Sequence, residues 1–208
     1  LDARCRENGV SLFQHFGGRN PRLFTDITIP TGGPEQAAKA ASRAVSQDFR
    51  TLKIKVGGET FDHDLSRLRR IAEVAPGARL LLDANASLSA EHAIALVRGL
   101  GESQASVVLF EQPCLRGDFA GSRRVREAGI RVAADEDARS LADLAAIHAE
   151  RAADVINFKL TKSGVSRVLA MIAEARRLGF GLMLGGMVET RLAMTFSACI
   201  AGGFGGFE

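Results

Sequence analysis

Charged side chains stand within or directly after five successive aliphatic runs of this sequence. In order along the chain they are Lys53 with Lys55, Asp83, Glu111, Asp135 and Lys159. Residues two apart on an extended strand lie on the same face, so Lys53 and Lys55 are predicted to lie side by side. On an interior face, two ammonium groups lower each other's pKa, and a lysine with a lowered pKa can act as a general base. The pair therefore indicates proton-transfer chemistry, the alternative being that both lysines point outward between helices.

Three of these charged residues are carboxylates, spaced about one strand–loop–helix unit apart: Asp83, Glu111 and Asp135. Neighbouring parallel strands would present them side by side. Carboxylates brought together without a cation repel one another, whereas a hard divalent ion such as Mg²⁺ prefers oxygen ligands. The spacing therefore predicts a metal site formed by the three acids. The alternative is that each acid caps the helix that follows its strand.

Two further candidates follow later strands. Lys159 comes on the next strand but one after that of Glu111, which places it across a barrel mouth from Lys55. It could act as a second acid or base, or it could pair with one of the carboxylates. Met187 and Glu189 follow the seventh aliphatic run and could line the same mouth, although Glu189 could equally cap the next helix.

These residues need a scaffold that brings strand ends together, and the sequence indicates one. Aliphatic runs alternate with Ala-, Leu- and Arg-rich helical stretches at Phe24–Ile29, Thr51–Val56, Arg79–Asp83, Val107–Glu111, Arg131–Ala134, Asp154–Lys159 and Gly179–Leu184. Such alternation predicts an α/β fold with a parallel sheet, and it favours a TIM-like barrel, in which the carboxyl ends of the strands form the active-site face. A doubly wound sheet is the alternative, but residues 31–34 lack the G-x-G-x-x-G spacing of its phosphate-binding turn.

Composition excludes several other classes of protein. The 208 residues are 46% hydrophobic and 25% charged, which is typical of globular domains, and the net charge of +3 includes no basic block. We therefore expect neither nucleic acid nor a membrane as a partner. The three cysteines contain no CxxC pair, which excludes a disulfide framework and a cysteine zinc site and fits a cytoplasmic location.

The strand count predicts a partial barrel. Residues 1–20 are expected to form a helix leading into a barrel domain over 21–208, in which an eighth strand would only begin near Gly203–Glu208. A barrel without its last strand leaves two unpaired edges, which proteins avoid. We therefore expect the chain to be part of a longer protein.

Five short motifs in this order resemble the enolase superfamily, in particular its muconate lactonizing (muconate cycloisomerase) subgroup. They are Lys53-Ile54-Lys55, Leu82-Asp83-Ala84-Asn85, Glu111-Gln112-Pro113, Ala134-Asp135-Glu136 and Asn157-Phe158-Lys159. Within the subgroup, residues 181–190 are most similar to dipeptide epimerases of the L-Ala-D/L-Glu type, although Asp137 stands where a Ser is usual. The resemblance implies a (β/α)7β barrel, here without its capping domain and most of its last strand.

The resemblance also implies roles for single residues. Asp83, Glu111 and Asp135 would hold Mg²⁺, with Mn²⁺ as a possible substitute. Lys55 would be the base on one face of the substrate, with Lys53 tuning it, and Lys159 would serve the opposite face. Asn85 and Glu136 would orient the ligands, and Met187 and Glu189 would contact substrate.

The implied reaction is Mg²⁺-dependent removal of a proton α to a carboxylate through a stabilised enolate. The expected enzyme is a racemase or epimerase acting on a small carboxylate, either a dipeptide or an N-substituted amino acid, and it is expected to be a homo-oligomer. A muconate-type cycloisomerase and an o-succinylbenzoate synthase-like dehydratase share the same first step and remain alternatives. An alternative of another class is a non-catalytic barrel that serves as a scaffold.

Overall fold

The computed structural model describes residues 1–19, 22–58, 60–101 and 105–208. Its strands are β1 (Ile27–Ile29), β2 (Thr51–Lys55), β3 (Arg79–Asp83), β4 (Ser106–Glu111), β5 (Val132–Ala134), β6 (Val155–Phe158) and β7 (Gly181–Leu184). Its helices are α1 (Asp2–Glu7), α2 (Leu12–His15), α3 (Pro34–Ser46), α4 (Phe61–Val74), α5 (Ala90–Gly99), α6 (Phe119–Glu127), α7 (Leu141–Ala149), α8 (Leu160–Ser163), α9 (Val165–Arg177) and α10 (Arg191–Phe204). The predicted alternation of strands and helices is confirmed.

The chain divides into two compact units. The larger unit comprises Thr25–Asp137 and Ala145–Asp154, and the smaller unit comprises Leu1–Phe24, Ala138–Leu144 and Val155–Glu208. The predicted boundary between residues 20 and 21 lies outside the described residues.

In the larger unit, β1 to β5 pair in chain order, and every pair is parallel. The register places Lys55 of β2 opposite Asp83 of β3, and Asp83 opposite Glu111 of β4. β2 forms because Leu52 and Ile54 are fully buried on one of its sides, while Lys53 and Lys55, which alternate with them, are only partly buried. Because of this register, the charged groups at the ends of β2, β3 and β4 lie at the same level of the sheet.

The helices of the larger unit begin where the sequence provides caps. Pro34 occupies the first turn of α3, and the hydroxyls of Thr60 and Ser89 accept hydrogen bonds from the first turns of α4 and α5. Apolar residues of α4, including Leu68 and Ile71, are fully buried. Burial of this stripe, rather than helix propensity alone, holds the helix in place.

In the smaller unit, β6 and β7 pair in parallel from Val155 opposite Gly181 to Phe158 opposite Leu184. Phe207 forms an isolated parallel bridge with Leu182, where the start of an eighth strand is predicted, whereas residues 203 and 204 still belong to α10. The single leading helix predicted over residues 1–20 is wrong: α1 and α2 are separate, because Ser11 forms a capping box with Gln14 and starts a new helix.

Among the described residues, no helix has the length and apolar character needed to cross a membrane.

Candidate active site

Two lysines and two carboxylates form a continuous ion-pair network at the ends of β2, β3 and β4. The Lys53 Nζ lies 2.9 Å from Asp83 Oδ2 and 2.6 Å from Glu111 Oε2. The Lys55 Nζ lies 2.7 Å from the same Asp83 oxygen. The predicted common face for the two lysines is confirmed, and the alternative in which both point outward is wrong.

The members of this network differ in how deeply they are buried. Asp83 and Glu111 are fully buried, the Lys53 side chain is 12% exposed, and the Lys55 side chain is 32% exposed. The carboxylates are therefore held away from water, and Lys55 is the more accessible of the two ammonium groups.

The pKa values in the network follow from burial and neighbouring charge. Burial raises the pKa of Glu111, the charge and hydrogen bond of Lys53 oppose this, and the negative charges of Asp83 and Asp135 add to it, so the pKa is raised. Burial would also raise the pKa of Asp83, but the charges and hydrogen bonds of the two lysines outweigh it and lower that pKa. The acids are therefore unequal: Asp83 is held ionised, whereas Glu111 is pushed toward its neutral form.

The lowered pKa predicted for the lysine pair is wrong for Lys53. Burial lowers the pKa of Lys53, but the charges and hydrogen bonds of Glu111 and Asp83 outweigh it, so the pKa is raised. The prediction considered only the repulsion between two ammonium groups. In the structure, the nearest charges to Lys53 are two carboxylates, which stabilise its protonated form.

Asn85 connects the network to the following loop. Its backbone N–H donates to Asp83 Oδ1 at 3.0 Å, and its side-chain carbonyl accepts a hydrogen bond from Lys55 Nζ at 2.6 Å. Its amide nitrogen donates to Glu136 Oε1 at 3.3 Å. Asn85 therefore contacts a predicted metal ligand, a predicted base and the second predicted orienting residue, Glu136.

The backbone around Asp135 is held by Gln112, a residue for which the sequence predicts no role. The Gln112 Oε1 accepts hydrogen bonds from the backbone N–H groups of Asp135 and Asp137, at 3.0 and 3.2 Å. Its Nε2 donates to Asp137 Oδ2 at 2.7 Å, and Asp137 Oδ1 accepts from the N–H of Gly117 at 2.8 Å. Gln112 is buried with φ at +35°, a backbone conformation that costs free energy. The sequence feature that could have identified Gln112 is its position directly after Glu111.

The three acids fit a divalent cation by their chemistry. Among the described residues, no group of three or more His, Cys, Asp or Glu side chains is arranged to hold a metal ion. Instead, the Lys53 ammonium lies between Asp83 and Glu111 and provides the positive charge that two buried carboxylates require. Asp135 is also buried and lies close enough for its charge to act on Glu111. Oxygen donors with excess negative charge are the ligand set that Mg²⁺ prefers, so the chemistry of these residues fits that ion, while their arrangement in the structure is that of an ion pair with Lys53.

A cavity of about 430 Å³ lies beside Lys55 and Asn85 in the larger unit. Thr31, Gly32 and Gly57 line it from the ends of β1 and β2. Gly57 has φ at +83°, which residues with side chains rarely adopt, and a Cβ there would clash with the Ser87 hydroxyl, so the position suits glycine. The volume is in the range of small-molecule sites.

Three predicted site residues lie in the smaller unit. Lys159 directly follows β6, and its Cε would lie 3.0 Å from a Cβ at Gly185, so Gly185 leaves the space that the lysine stem uses. Met187 is exposed, and its N–H donates to Glu189 Oε1 at 2.9 Å. The suggestion that Glu189 caps the next helix is wrong, because the Thr190 hydroxyl caps α10.

Comparison with known proteins gives consistent matches. The enolase C-terminal domain-like family matches residues 36–205. An aromatic dipeptide epimerase from Herpetosiphon aurantiacus is 44% identical over 209 residues, covering 100% of this chain and 59% of that protein.

Two solved structures extend the comparison to the fold. One, from Sorangium cellulosum, is assigned to the mandelate racemase/muconate lactonizing enzymes; it is 50% identical, with a TM-score of 0.95 over 100% of this chain and 58% of its own. The other is a dipeptide epimerase from Enterococcus faecalis complexed with Mg and L-Leu-L-Tyr; it is 30% identical, with a TM-score of 0.93 over 99% of this chain and 58% of its own. The predicted α/β fold class is confirmed, and the chain spans about three-fifths of the length of the relatives it matches.

Proposed function

The chain belongs to the enolase C-terminal domain-like family, and on that premise we propose that it carries the proton-transfer site of a Mg²⁺-dependent dipeptide epimerase. The observation that carries the proposal is the accessible Lys55 ammonium held beside buried carboxylates at the ends of three neighbouring strands. The aromatic dipeptide epimerase and the epimerase complexed with Mg and a dipeptide support the choice of substrate class.

The reaction begins with removal of a proton α to a carboxylate. Such a proton is weakly acidic, because its removal places a second negative charge on the carboxylate. Mg²⁺ bound by Asp83, Glu111 and Asp135 would stabilise this charge as it develops.

The two neighbouring lysines have different proposed roles because their environments differ. Lys53 is shared by two buried carboxylates and keeps its positive charge, so it contributes electrostatic stabilisation rather than proton transfer. Lys55 is more exposed, contacts one carboxylate and one amide, and borders the cavity. In its neutral form, Lys55 takes the α-proton and becomes an ammonium group.

Inversion needs a second group on the opposite face of the α-carbon. We assign that role to Lys159, whose ammonium returns a proton to the other face and is left neutral. The two lysines therefore exchange protonation states in each direction of the reaction. The proton lost from one face is balanced by the proton gained on the other, and no oxidant or second substrate is consumed.

The test uses the whole protein with Mg²⁺ and each stereoisomer of a dipeptide in D₂O, followed by proton NMR. Lys159→Ala should abolish epimerisation, while exchange of the α-proton survives for the isomer that Lys55 serves. Lys55→Ala should give the mirror result. Each positioned acid or base contributes about 10²–10⁴-fold, so the losses are large. Lys39→Ala, on the exposed side of α3, is the matched control.

The outcomes separate the candidate functions. Interconversion at near wild-type rate in either lysine variant would refute the two-base assignment. Turnover of muconates or succinylbenzoate precursors, with no turnover of dipeptides, would favour the cycloisomerase or dehydratase alternatives. No exchange with any of these substrates would favour the scaffold.

A further inference from the structure

A buried ion pair lies beside the end of β2, outside the ion-pair network described above, and both of its members border the cavity next to Lys55. Arg67 and Asp64, both on α4, are each 2% exposed. The Arg67 Nη1 lies 3.3 Å from Asp64 Oδ1. Neither residue belongs to the motifs on which the proposed function depends.

This pair binds the backbone at the ends of two strands. The Arg67 Nη1 donates to the carbonyl oxygen of Lys55 at 2.9 Å, and its Nη2 donates to the carbonyl oxygen of Pro30 at 3.2 Å. The Asp64 Oδ2 accepts a hydrogen bond from the N–H of Gly57 at 2.6 Å. The pair therefore holds the residue after β1, the last residue of β2 and the turn that follows.

Stability alone is a weak reason for such a pair. Burying two charges is unfavourable, and a protein with well-packed apolar residues in place of a buried ion pair is often as stable or more so. What apolar residues cannot do is donate to two strand-end carbonyls and accept from a turn N–H at the same time. The planar, forked guanidinium is suited to hold two acceptors in a fixed relation.

The backbone held in this way is that of Lys55. Its ammonium contacts Asp83 and Asn85, and it reaches them from a main chain whose carbonyl is bound by Arg67. Directly after Lys55, the chain turns through Gly57, which has φ at +83° and no room for a side chain. A shift of the strand end would therefore displace the ammonium relative to the cavity.

We propose that Arg67 and Asp64 form a positioning pair for Lys55, which fixes the strand end so that this lysine meets the α-carbon in a reactive orientation. The proposal rests on the proposed epimerase function. The pair should affect the proton transfer at Lys55 and not the one at Lys159, because Lys159 follows a different strand, β6, which the pair does not hold. A pair that only stabilised the fold would affect both transfers alike.

The experiment measures α-proton exchange in D₂O for each stereoisomer, with the whole protein and Mg²⁺. Arg67→Lys keeps a positive charge opposite Asp64 but lacks the planar fork whose two nitrogens hold the two carbonyls in a fixed relation, and Asp64→Asn keeps the shape but removes the charge. For the isomer served by Lys55, exchange should fall by about 10- to 100-fold with little change in KM, and for the other isomer it should change by less than about threefold. The isomer served by Lys55 is the one whose exchange survives in Lys159→Ala.

Arg70→Met is the matched control, because Arg70 lies on the same helix but pairs with Glu35 and Glu73 at the surface. It should leave exchange of both isomers unchanged. Equal losses for the two isomers in Arg67→Lys, or no loss for either, would overturn the proposal. Failure of both Arg67→Lys and Asp64→Asn to fold would assign the pair to stability and would overturn it as well. Absence of exchange in the wild-type protein would instead refute the proposed function.

Discussion

Lys53 is shared by two buried carboxylates, and its removal tests the electrostatics of the site directly. The Lys53→Met substitution keeps an unbranched apolar stem but removes the ammonium that lies 2.9 Å from Asp83 and 2.6 Å from Glu111. Asp83 keeps its contact with Lys55, whereas Glu111 loses the positive charge that most opposes its raised pKa.

The expected destabilisation of the metal-free protein is large. Removing one partner of a buried ion pair costs about 3–5 kcal/mol, because the other partner is left buried and uncompensated. For a domain of this size, each kcal/mol lowers the melting temperature by about 2–4 °C. We therefore expect Lys53→Met to melt roughly 6–20 °C below the wild-type protein at pH 7 in EDTA.

The sign of the pH dependence follows from Glu111. Its pKa is raised above the ordinary value of 4.5 in the folded protein and rises further without Lys53. Above pH 4.5, the folded state then binds more protons than the unfolded state, so stability falls as the pH rises through the folded pKa. The difference in melting temperature between variant and wild type should therefore be smaller at pH 5 than at pH 8.

The assay is thermal unfolding by circular dichroism at both pH values, with and without Mg²⁺. Mg²⁺ should raise the melting temperature of Lys53→Met more than that of the wild type, because the ion supplies the missing positive charge. Arg70→Met, which loses ion pairs with the exposed Glu35 and Glu73, should melt within about 2 °C of the wild type, because exposed ion pairs are screened by water. A Lys53→Met variant that melts within about 2 °C of the wild type in EDTA at pH 8 would refute the reasoning, because a buried carboxylate without a counter-charge should lower the free energy of unfolding by about 3–5 kcal/mol.

Three further predictions concern neighbouring residues. Asp135→Asn should weaken Mg²⁺ binding in calorimetric titrations and abolish turnover, and full activity of wild-type enzyme in EDTA would contradict the metal requirement. Gln112→Leu removes the hydrogen bonds that hold the backbone around Asp135. It should lower the free energy of unfolding by about 2–5 kcal/mol and the Mg²⁺ affinity by about 10–100-fold. Unchanged affinity in a folded variant would show that Gln112 does not position Asp135. Burial raises the pKa of Asp26 above 3.8, so its ionisation costs stability as the pH rises, and Asp26→Asn should stabilise the protein more at pH 7 than at pH 3.5 in urea unfolding. An equal effect at both pH values would contradict this assignment.

The interaction partners of single residues could be identified only from the folded structure. Lys53 and Glu111 are 58 residues apart in sequence, and their contact depends on the register of three strands. Electrostatic shifts depend on distance and burial, so the sequence could not show that two carboxylates, rather than another lysine, decide the pKa of Lys53. The same limit hid the role of Gln112, whose hydrogen-bond partners lie on another strand end.

The sequence by itself determined the features that depend on local periodicity. Alternation of aliphatic and charged residues predicted β2 and the common face of its lysines, because this signal acts over a few residues. The tertiary structure decided what those local elements bring together: the ion-pair network and the contact of the Arg67–Asp64 pair with the backbone of Lys55. These arrangements depend on how segments that are distant in sequence pack together. A local sequence pattern does not specify the distances between such segments or how deeply an ion pair between them is buried.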